Sequence, residues 1–264
     1  MKLGISGIAG KMGKEVFHSA SEKNLKVCLG IEAESLGKIN IKNLFPQIDY
    51  DFPIITSPEG FKTIAKENIP DVIIDFSTKG AIIPYLDYIC KNKIRTGFVI
   101  GTTGFSEEDL RKIKQYAQNV PILLSYNMSR GINLILKILP EIKKNLPDFD
   151  VEILEIHHKM KKDSPSGTAL LLAEALSSED TQKITGREGM VGPRKKNELG
   201  IFAVRGGDVV GEHIIFFLGD GERIEIKHTA TSRKVFANGA IHAAMFIYEK
   251  LKQGHVGLYS SIFQ

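Results

Sequence analysis

Cysteine is scarce in this sequence, which has only Cys28 and Cys90 among its 264 residues. Both lie inside apolar stretches, and neither belongs to a CxxC or a Cys/His pattern. The sequence therefore indicates neither a disulfide framework nor a structural zinc site. We expect two buried, unreactive thiols and no bound metal.

A long apolar segment and a strong charge imbalance are also lacking. The amino terminus has no apolar stretch of signal-peptide length, and no run of about 18 uncharged apolar residues occurs anywhere. Lys and Arg number 35 against 31 Asp and Glu, too small a surplus for the basic stripe of a nucleic-acid-binding protein. We expect a cytoplasmic globular protein that binds neither membranes nor nucleic acids and whose slight positive charge suits anionic small molecules.

Short apolar stretches alternate with segments of helical periodicity through the first half of the chain. The stretches predicted to be strands are residues 2–6, 25–31, 72–76, 95–100 and 121–125. Helices are predicted between them, for example over 81–90 and 106–118. Strands that alternate with helices build a parallel sheet, so we expect an α/β, Rossmann-like, doubly wound fold.

The pattern changes after about residue 126. Helices are predicted over 132–145 and 169–176, and a strand over 151–156. Strands then follow one another at 200–205, 209–218 and 223–228, the last two as a hairpin, whereas residues 181–199 have no periodic apolar signal and are predicted to form a surface loop. This half is expected to be an α+β domain with a mixed or antiparallel sheet.

A glycine-rich loop, residues 7–13, lies between the first predicted strand and the first predicted helix. Its G-x-x-G-x-x-G spacing lets the backbone approach a pyrophosphate, whose charge the amides of the helix amino terminus would meet. Such a turn also occurs without any ligand. Glu32, at the end of the next strand, strengthens the interpretation because its carboxylate would accept hydrogen bonds from ribose hydroxyls. The loop and Glu32 together predict a dinucleotide site.

The residues around Glu32 bear on the choice of cofactor. The carboxylate would repel the 2′-phosphate of NADPH unless a cation stood beside it, and the next residue is Ala33 rather than arginine. Lys11 in the glycine loop could reach such a phosphate. We therefore expect NADH to be at least as good a cofactor as NADPH.

Two further polar loops follow predicted strands of the first half. Residues 101–104, Gly-Thr-Thr-Gly, come after the strand at 95–100, and residues 125–128, Ser-Tyr-Asn-Met, come after the next one. Ligands lie at the carboxyl edge of an open parallel sheet. These loops are therefore predicted to line one site, although residues 101–104 could simply be a tight turn into the following helix.

The most specific motif spans residues 155–169. Adjacent histidines at the end of a strand are more often structural than catalytic, and the three closely spaced lysines of the motif ordinarily indicate solvent exposure. Residues 166–168, Ser-Gly-Thr, change that interpretation because they open an apolar helix, where amides and hydroxyls form a pocket for an anion. A substrate carboxylate could bind there, with Lys161 or His158 as its paired cation.

This motif also carries groups suited to proton transfer. An imidazole titrates near neutrality and can donate a proton, and an ammonium group can stabilise developing negative charge. Together with a nicotinamide cofactor these groups make a reductase. A zinc site is the competing interpretation, but the His157–His158 pair lacks companion ligands at suitable spacing.

The motifs together resemble the dihydrodipicolinate reductase family over the whole chain. Besides the segments described above, the resemblance includes residues 131–133, 205–213 and 236–240. It implies NAD(P)H-dependent reduction of 4-hydroxy-tetrahydrodipicolinate to tetrahydrodipicolinate, in the diaminopimelate route of lysine biosynthesis. It also implies a dinucleotide-binding domain made of residues 1–126 with 234–264, and a substrate-binding and oligomerisation domain at 127–233 that forms a homotetramer.

The resemblance further implies which residues serve each role. For the cofactor they are Gly7, Ile8, Ala9, Gly10, Lys11, Met12, Glu32, Gly101, Thr102, Thr103, Ser125, Tyr126, Asn127 and Met128. His157 and Lys161 take the catalytic, proton-donating roles. The residues that hold the dicarboxylate substrate are His158, Ser166, Gly167 and Thr168.

The chain departs from the family pattern at two positions. Ala33 replaces the arginine that favours NADPH, and Tyr126 stands where relatives carry smaller residues. Two other functions remain as alternatives. One is a catalytically inactive NAD-sensing module, which would have lost the His/Lys pair. The other is a different NAD(P)H reductase of a small carbonyl substrate, which a cysteine nucleophile in a loop would support.

Overall fold

The computed structural model describes residues 1–36 and 40–262 and divides the chain into two compact units. The first unit consists of Met1–Ser129 together with Phe236–Gln264, and the second of Arg130–Val235. Among the described residues, no helix is both long and apolar enough to cross a membrane.

The first unit is built on a parallel sheet of seven strands. They are β1 (Lys2–Ser6), β2 (Lys26–Ile31), β3 (Ile54–Ile55), β4 (Val72–Asp75), β5 (Gly97–Ile100), β6 (Pro121–Leu124) and β12 (Gly257–Tyr259). Their spatial order is β12-β6-β5-β4-β1-β2-β3. The chain adds β2 and β3 on one side of β1 and then crosses to the other side of β1 to form β4. This order confirms the predicted Rossmann-like sheet. Sheets of this kind generally bind ligands at the carboxyl ends of the two strands where the order switches, which are β1 and β4 here.

Helices cover both faces of this sheet. They are α1 (Lys11–Glu22), α2 (Ile41–Leu44), α3 (Ile83–Lys91), α4 (Glu107–Tyr116) and α7 (Lys234–Lys252), the last of which belongs to this unit from Phe236 onward. One hydrophobic core contains residues of α1 and α7 and the other contains residues of α3 and α4. Alternate strand residues, such as Val72 and Ile73, enter different cores. Both faces are therefore buried, which explains the continuous apolar runs of these strands.

Local chemistry explains where particular helices start and how closely they pack. Ser106 caps α4 in a capping box with Asp109, and Glu107, Glu108 and Asp109 lie in the first turn, where the helix dipole favours negative charge. In α7, Gly239 lies so close to the carbonyl group of Met128 that a Cβ would overlap its oxygen. The small residues of α7 therefore allow the helix backbone to pack against the segment that follows β6.

The second unit contains a mixed sheet of five strands. They are β7 (Asp150–His157), β8 (Gln182–Ile184), β9 (Glu198–Arg205), β10 (Gly211–Gly219) and β11 (Glu222–Ala230), in the order β11-β10-β7-β9-β8. β9 is parallel to β7 and β8, whereas β10 is antiparallel to β7 and β11. Helices α5 (Arg130–Asn145) and α6 (Gly167–Leu176) pack on one face. The predicted hairpin is present, with Gly221 at a positive φ of 84° in its two-residue turn.

The prediction of a surface loop over 181–199 is wrong in part. This segment contains β8 and the start of β9. The sequence does not predict β8 because it is a short edge strand that buries little surface and so has no apolar pattern. The segment is also held by ion pairs. Arg194 contacts Asp150 and Glu152, with its Nε 2.9 Å from Glu152 Oε1, and Arg187 binds the same glutamate. Charge pairing between distant segments leaves no apolar periodicity in the sequence.

Candidate functional site

The glycine loop wraps tightly around the amino end of α1. Gly7 adopts a positive φ of 75° and donates a hydrogen bond to the carbonyl of Ile31, 2.9 Å away. Gly10 precedes the helix and supplies no side-chain cap. The first amides of a helix have no partner within the helix, so this end of α1 can meet an anion. The loop therefore has the geometry that a pyrophosphate requires.

Gly13 and Gly10 provide a matched test of this packing. A Cβ at Gly13 would overlap the carbonyl oxygen of Gly7, whereas a Cβ at Gly10 would lie 3.1 Å from that oxygen. We expect Gly13→Ala to lower the free energy of unfolding by about 1–3 kcal/mol, because the helix must move away from the loop. Gly10→Ala should cost less. Denaturant unfolding of the two variants measures the difference, and equal stabilities would contradict the close packing.

A cavity of about 560 Å³ lies at the carboxyl edge of the first sheet. Gly7, Ala9, Gly10 and Glu32 line it, together with residues that follow β4. The Glu32 carboxylate is held in place by the amide of Ala9 at 2.9 Å and that of Ala33 at 3.1 Å. Glu32 therefore connects the glycine loop to the end of β2 and presents an acceptor at the wall of the cavity.

The other residues predicted for the cofactor take several positions. Ile8 and Met128 are buried in the core, Lys11 and Met12 begin α1, and none of these four lines the cavity. Residues 101–103 follow β5, where the Thr102 hydroxyl donates to the carbonyl of Ser77 at 3.4 Å. Residues 125–127 follow β6, where the Ser125 amide donates to the carbonyl of Ile100 at 3.1 Å and the Ser125 hydroxyl donates to the carbonyl of Asn127 at 2.9 Å. The sheet order places these loops beside the cavity rather than in its wall.

Sequence reasoning missed the loop that follows β4. Phe76, Ser77 and Thr78 line the cavity, directly beside β1. The fully buried carboxyl of Asp75 anchors this loop, since the Ser77 hydroxyl donates to it at 2.5 Å. Burial raises the pKa of Asp75, against the hydrogen bonds from Ser77, Thr102 and Ser6. The sequence signal that could have identified this loop is its polar residues directly after a buried strand.

A second cluster of polar side chains lies in the second unit, around the end of β7. His157 is 8% exposed, and its Nδ1 lies 2.5 Å from Oε2 of the fully buried Glu155. Arg205, at the end of β9, binds both oxygens of that carboxylate at 2.7 and 2.8 Å. Parallel pairing of β7 and β9 puts Arg205 beside His157. The imidazole is therefore fixed through Nδ1, which leaves Nε2 for another partner.

The amino terminus of α6 joins the same cluster. Ser166 caps the helix, its amide donates to Glu155 Oε1 at 2.9 Å, and its hydroxyl lies 3.1 Å from Nε2 of His213. Ser166 is thus buried and engaged, while Gly167 is exposed in the first helical turn. The predicted anion pocket accordingly depends on the backbone at 167–168 more than on the Ser166 hydroxyl.

The remaining predicted residues lie in the loop after β7. The amide of His158 donates to the carbonyl of Val209 at 2.8 Å, and its side chain is half-buried. Lys161 is only 20% exposed, and its ammonium lies 2.8 Å from a carboxylate oxygen of Asp163. A half-buried ammonium near a fixed imidazole is equipped to neutralise a developing negative charge.

Electrostatics in this cluster follow from burial and from its charges. Burial lowers the pKa of His157, and the Lys161 and Arg205 cations act in the same direction, against the Glu155 carboxylate. Burial also lowers the pKa of His213 to about 4, with a contribution from His157. His213 is therefore neutral near pH 7.

Three residues of this cluster were not among the predicted site residues. They are Glu155, Arg205 and His213, which come from β7, β9 and β10. Glu155 is the first residue of the 155–169 motif, and Arg205 and His213 are the two ends of the 205–213 segment that contributes to the family resemblance. An acidic residue two positions before a histidine on a strand shares its face, and this spacing could have singled out Glu155.

Known proteins match both units. Residues 1–128 match the family model described as Dihydrodipicolinate reductase, N-terminus, and residues 131–261 match the one described as Dihydrodipicolinate reductase, C-terminus. The 4-hydroxy-tetrahydrodipicolinate reductase of Methanocaldococcus jannaschii is 39% identical over 262 residues, which cover 96% of this chain and 94% of the relative. That of Caldanaerobacter subterraneus subsp. tengcongensis is 43% identical over 251 residues, with 94% and 92% coverage.

A solved structure extends this likeness to three dimensions. Dipicolinate-bound dihydrodipicolinate reductase from Paenisporosarcina sp. TG-14 is 25% identical and superimposes with a TM-score of 0.74, covering 98% of this chain and 97% of that one. The matches span both units and nearly the full length of each relative. The chain belongs to the dihydrodipicolinate reductase family.

Proposed function

We infer that the chain reduces 4-hydroxy-tetrahydrodipicolinate to tetrahydrodipicolinate with NADH or NADPH, in the diaminopimelate route of lysine biosynthesis. The observation that carries this inference is the match of both family models to a chain with an organised His157–Lys161 cluster. The first unit adds a Rossmann-like sheet with a cavity at the edge where such sheets bind dinucleotides.

The two alternative functions are not favoured. An inactive NAD-sensing module has no use for a buried histidine held by a carboxylate beside a half-buried lysine. A reductase that works through a cysteine nucleophile needs a reactive thiol. Burial raises the pKa values of Cys28 and Cys90 to about 11, so neither is a thiolate near neutral pH.

We propose that the dinucleotide binds at the glycine loop and Glu32. The amides of α1 would meet the pyrophosphate, and the Glu32 carboxylate, already oriented by Ala9 and Ala33, would accept from the ribose hydroxyls. NADH or NADPH supplies the hydride when bound. Since Ala33 places no cation beside Glu32, NADH should serve at least as well as NADPH.

We propose that His157 donates the proton and that Lys161 stabilises the charge of the acceptor. Gly211 leaves the imidazole edge open, because a Cβ there would lie 3.0 Å from Nε2. An incoming dianion would favour the protonated imidazole, which counteracts the effect of burial on its pKa. His157 would thus be charged mainly when substrate is present.

One assay, run with each cofactor in turn, tests the activity and the cofactor preference. The oxidation of NADH or of NADPH is measured with freshly made 4-hydroxy-tetrahydrodipicolinate and the purified chain. We expect turnover with both cofactors and a kcat/KM with NADH at least equal to that with NADPH. Absence of turnover with either cofactor would refute the proposed function.

We propose that the substrate carboxylates bind at residues 166–168 and His158. A Cβ at Gly167 would meet nothing within 4 Å in this structure, so Gly167→Ala should fold normally. It should nevertheless weaken binding of pyridine-2,6-dicarboxylate about 10-fold or more, because the methyl group would occupy the approach to the helix amides. Isothermal titration calorimetry measures the affinity. Gly186→Ala, which is equally open, serves as the control, and equal affinities of the two variants would contradict this placement.

We also propose that the chain works as a homotetramer in the cytoplasm. Apolar side chains on β7, β9 and β10 point away from α5 and α6, and they include Leu154, Phe202, Val204, Ile214 and Phe216. Val204 is 44% exposed. Such a face suits pairing with a second copy of the chain. A mass four times that of the single chain in light scattering supports the proposal, and a monomeric mass contradicts it.

A further inference from the structure

One buried carboxylate connects the separate parts of the cluster in the second unit. Glu155 is fully buried, and each of its two oxygens has two partners. Oε1 accepts from Arg205 at 2.7 Å and from the Ser166 amide at 2.9 Å. Oε2 accepts from Arg205 at 2.8 Å and contacts His157 Nδ1. The carboxylate therefore links the histidine to the helix end where an anion would bind.

Arg205 extends this network to the loop that carries Lys161. Its Nη2 donates to the carbonyl of Asp163 at 2.8 Å, and the side chain of Asp163 holds the Lys161 ammonium. The Glu155–Arg205 pair thus contacts three segments: the end of β7, the 161–163 loop and the start of α6. A substitution in this pair would therefore alter contacts to all three segments.

The ionised carboxylate determines which nitrogen of His157 carries hydrogen. A carboxylate can only accept, so Nδ1 must donate and Nε2 is left to exchange the catalytic proton. Burial would raise the pKa of Glu155, but hydrogen bonds from Arg205, His157 and the Ser166 amide bring it below its usual value. The carboxylate therefore stays ionised at neutral pH.

Stability alone is a weak explanation for this arrangement. Burying an ion pair costs desolvation energy that its attraction often only balances. The Glu155 carboxylate makes four contacts, two with Arg205, one with His157 and one with the Ser166 amide. A requirement to orient these groups explains the contacts better than stability does. Hydrogen bonds behind a reacting histidine fix its tautomer and ring orientation.

We propose that Glu155, held by Arg205, is a positioning residue for the reduction, which sets the tautomer of His157 and holds the Ser166 turn in register with it. This inference rests on the proposed function. Glu155 touches neither of the reacting molecules and acts through His157 and Ser166.

The pH profile of kcat distinguishes positioning from a structural role. The charged and titratable groups that face His157 are Glu155 on β7, Arg205 on β9, His213 on β10 and Lys161 in the loop. Glu155→Gln removes the anion and offers an amide N–H to Nδ1, so the imidazolium is disfavoured. In the Glu155→Gln variant, the alkaline limb of the pH profile of kcat should move to lower pH by about one unit or more. Its kcat at neutral pH should be reduced about 10-fold or more. Arg205→Gln removes a cation and should move the limb to higher pH.

The matched control is Glu152→Gln. Glu152 lies on the same strand and also pairs with two arginines, but on the opposite face of the sheet. The Glu152→Gln substitution should leave the alkaline limb of the pH profile where it is in wild type. KM for the cofactor should be unchanged in Glu155→Gln, Arg205→Gln and Glu152→Gln. A folded Glu155→Gln enzyme with the profile of wild type overturns the proposal while leaving the proposed function intact. An inactive wild-type protein instead refutes the proposed function.

Nitrogen-15 NMR of histidine supplies a readout that needs neither activity nor a folded Glu155 variant. His157→Gln identifies the resonances in the ligand-free protein. We expect the Nδ1–H tautomer for the neutral His157 of wild type. An Nε2–H tautomer overturns the proposal.

Discussion

Replacing Lys161 with alanine is expected to lower kcat by about 100-fold or more while leaving cofactor affinity close to normal. The Lys161 side chain is only 20% exposed and lies in the loop after β7, whereas the glycine loop and Glu32 belong to the other unit. Since its charge matters most when negative charge develops on the acceptor, its loss should affect the transition state more than the ground state. Steady-state rates of NADH oxidation, with NADH binding measured by fluorescence, separate the two effects.

Lys162→Ala provides the control for this prediction. Lys162 is the next residue and is exposed, so its removal changes the net charge of the same loop without emptying the site. It should retain nearly the kcat of wild type. A Lys161→Ala enzyme with normal kcat and a change confined to KM would show that the ammonium binds substrate uniformly and has no role in the chemical step.

Replacing His157 with glutamine should also reduce kcat by about 100-fold or more, since this is the usual contribution of a positioned general acid. The protonated imidazole is the active form in this proposal, so wild-type kcat should fall as the pH rises through the pKa of His157 in the complex. That limb should disappear in the variant. Glutamine keeps a hydrogen-bonding group near Glu155, so the fold should survive, as thermal unfolding would check.

His158→Gln separates substrate binding from proton donation. Its side chain is half-buried directly after β7 and is proposed to pair with a substrate carboxylate. The variant should raise KM for the dicarboxylate with a smaller effect on kcat, and it should keep the pH limb of wild type. If the limb vanished in His158→Gln and persisted in His157→Gln, the two roles would have to be exchanged.

Much of the architecture was predictable because its signals are local. The strands of the first unit are continuous apolar runs because both of their faces are buried, and each predicted strand there is present, with no end displaced by more than two residues. The capping residues of α4 and the turn of the β10–β11 hairpin are also encoded within a few residues. Short strands at sheet edges, such as β3 and β8, were missed because they bury too little to impose a pattern.

The same division applies to the polar residues. Glycine spacing, an acidic residue at a strand end and a His-His-x-x-Lys segment before a Ser-Gly-Thr turn were enough to indicate a reductase that takes an anionic substrate, because each is a short stretch of chain with its own chemistry. The partners of His157 required strand pairing. Arg205 lies 50 residues after Glu155 in the chain, and Ser166 and His213 are 47 residues apart. No local pattern encodes which strands pair or in what register, so the folded sheet alone brings that arginine and that second histidine to the imidazole.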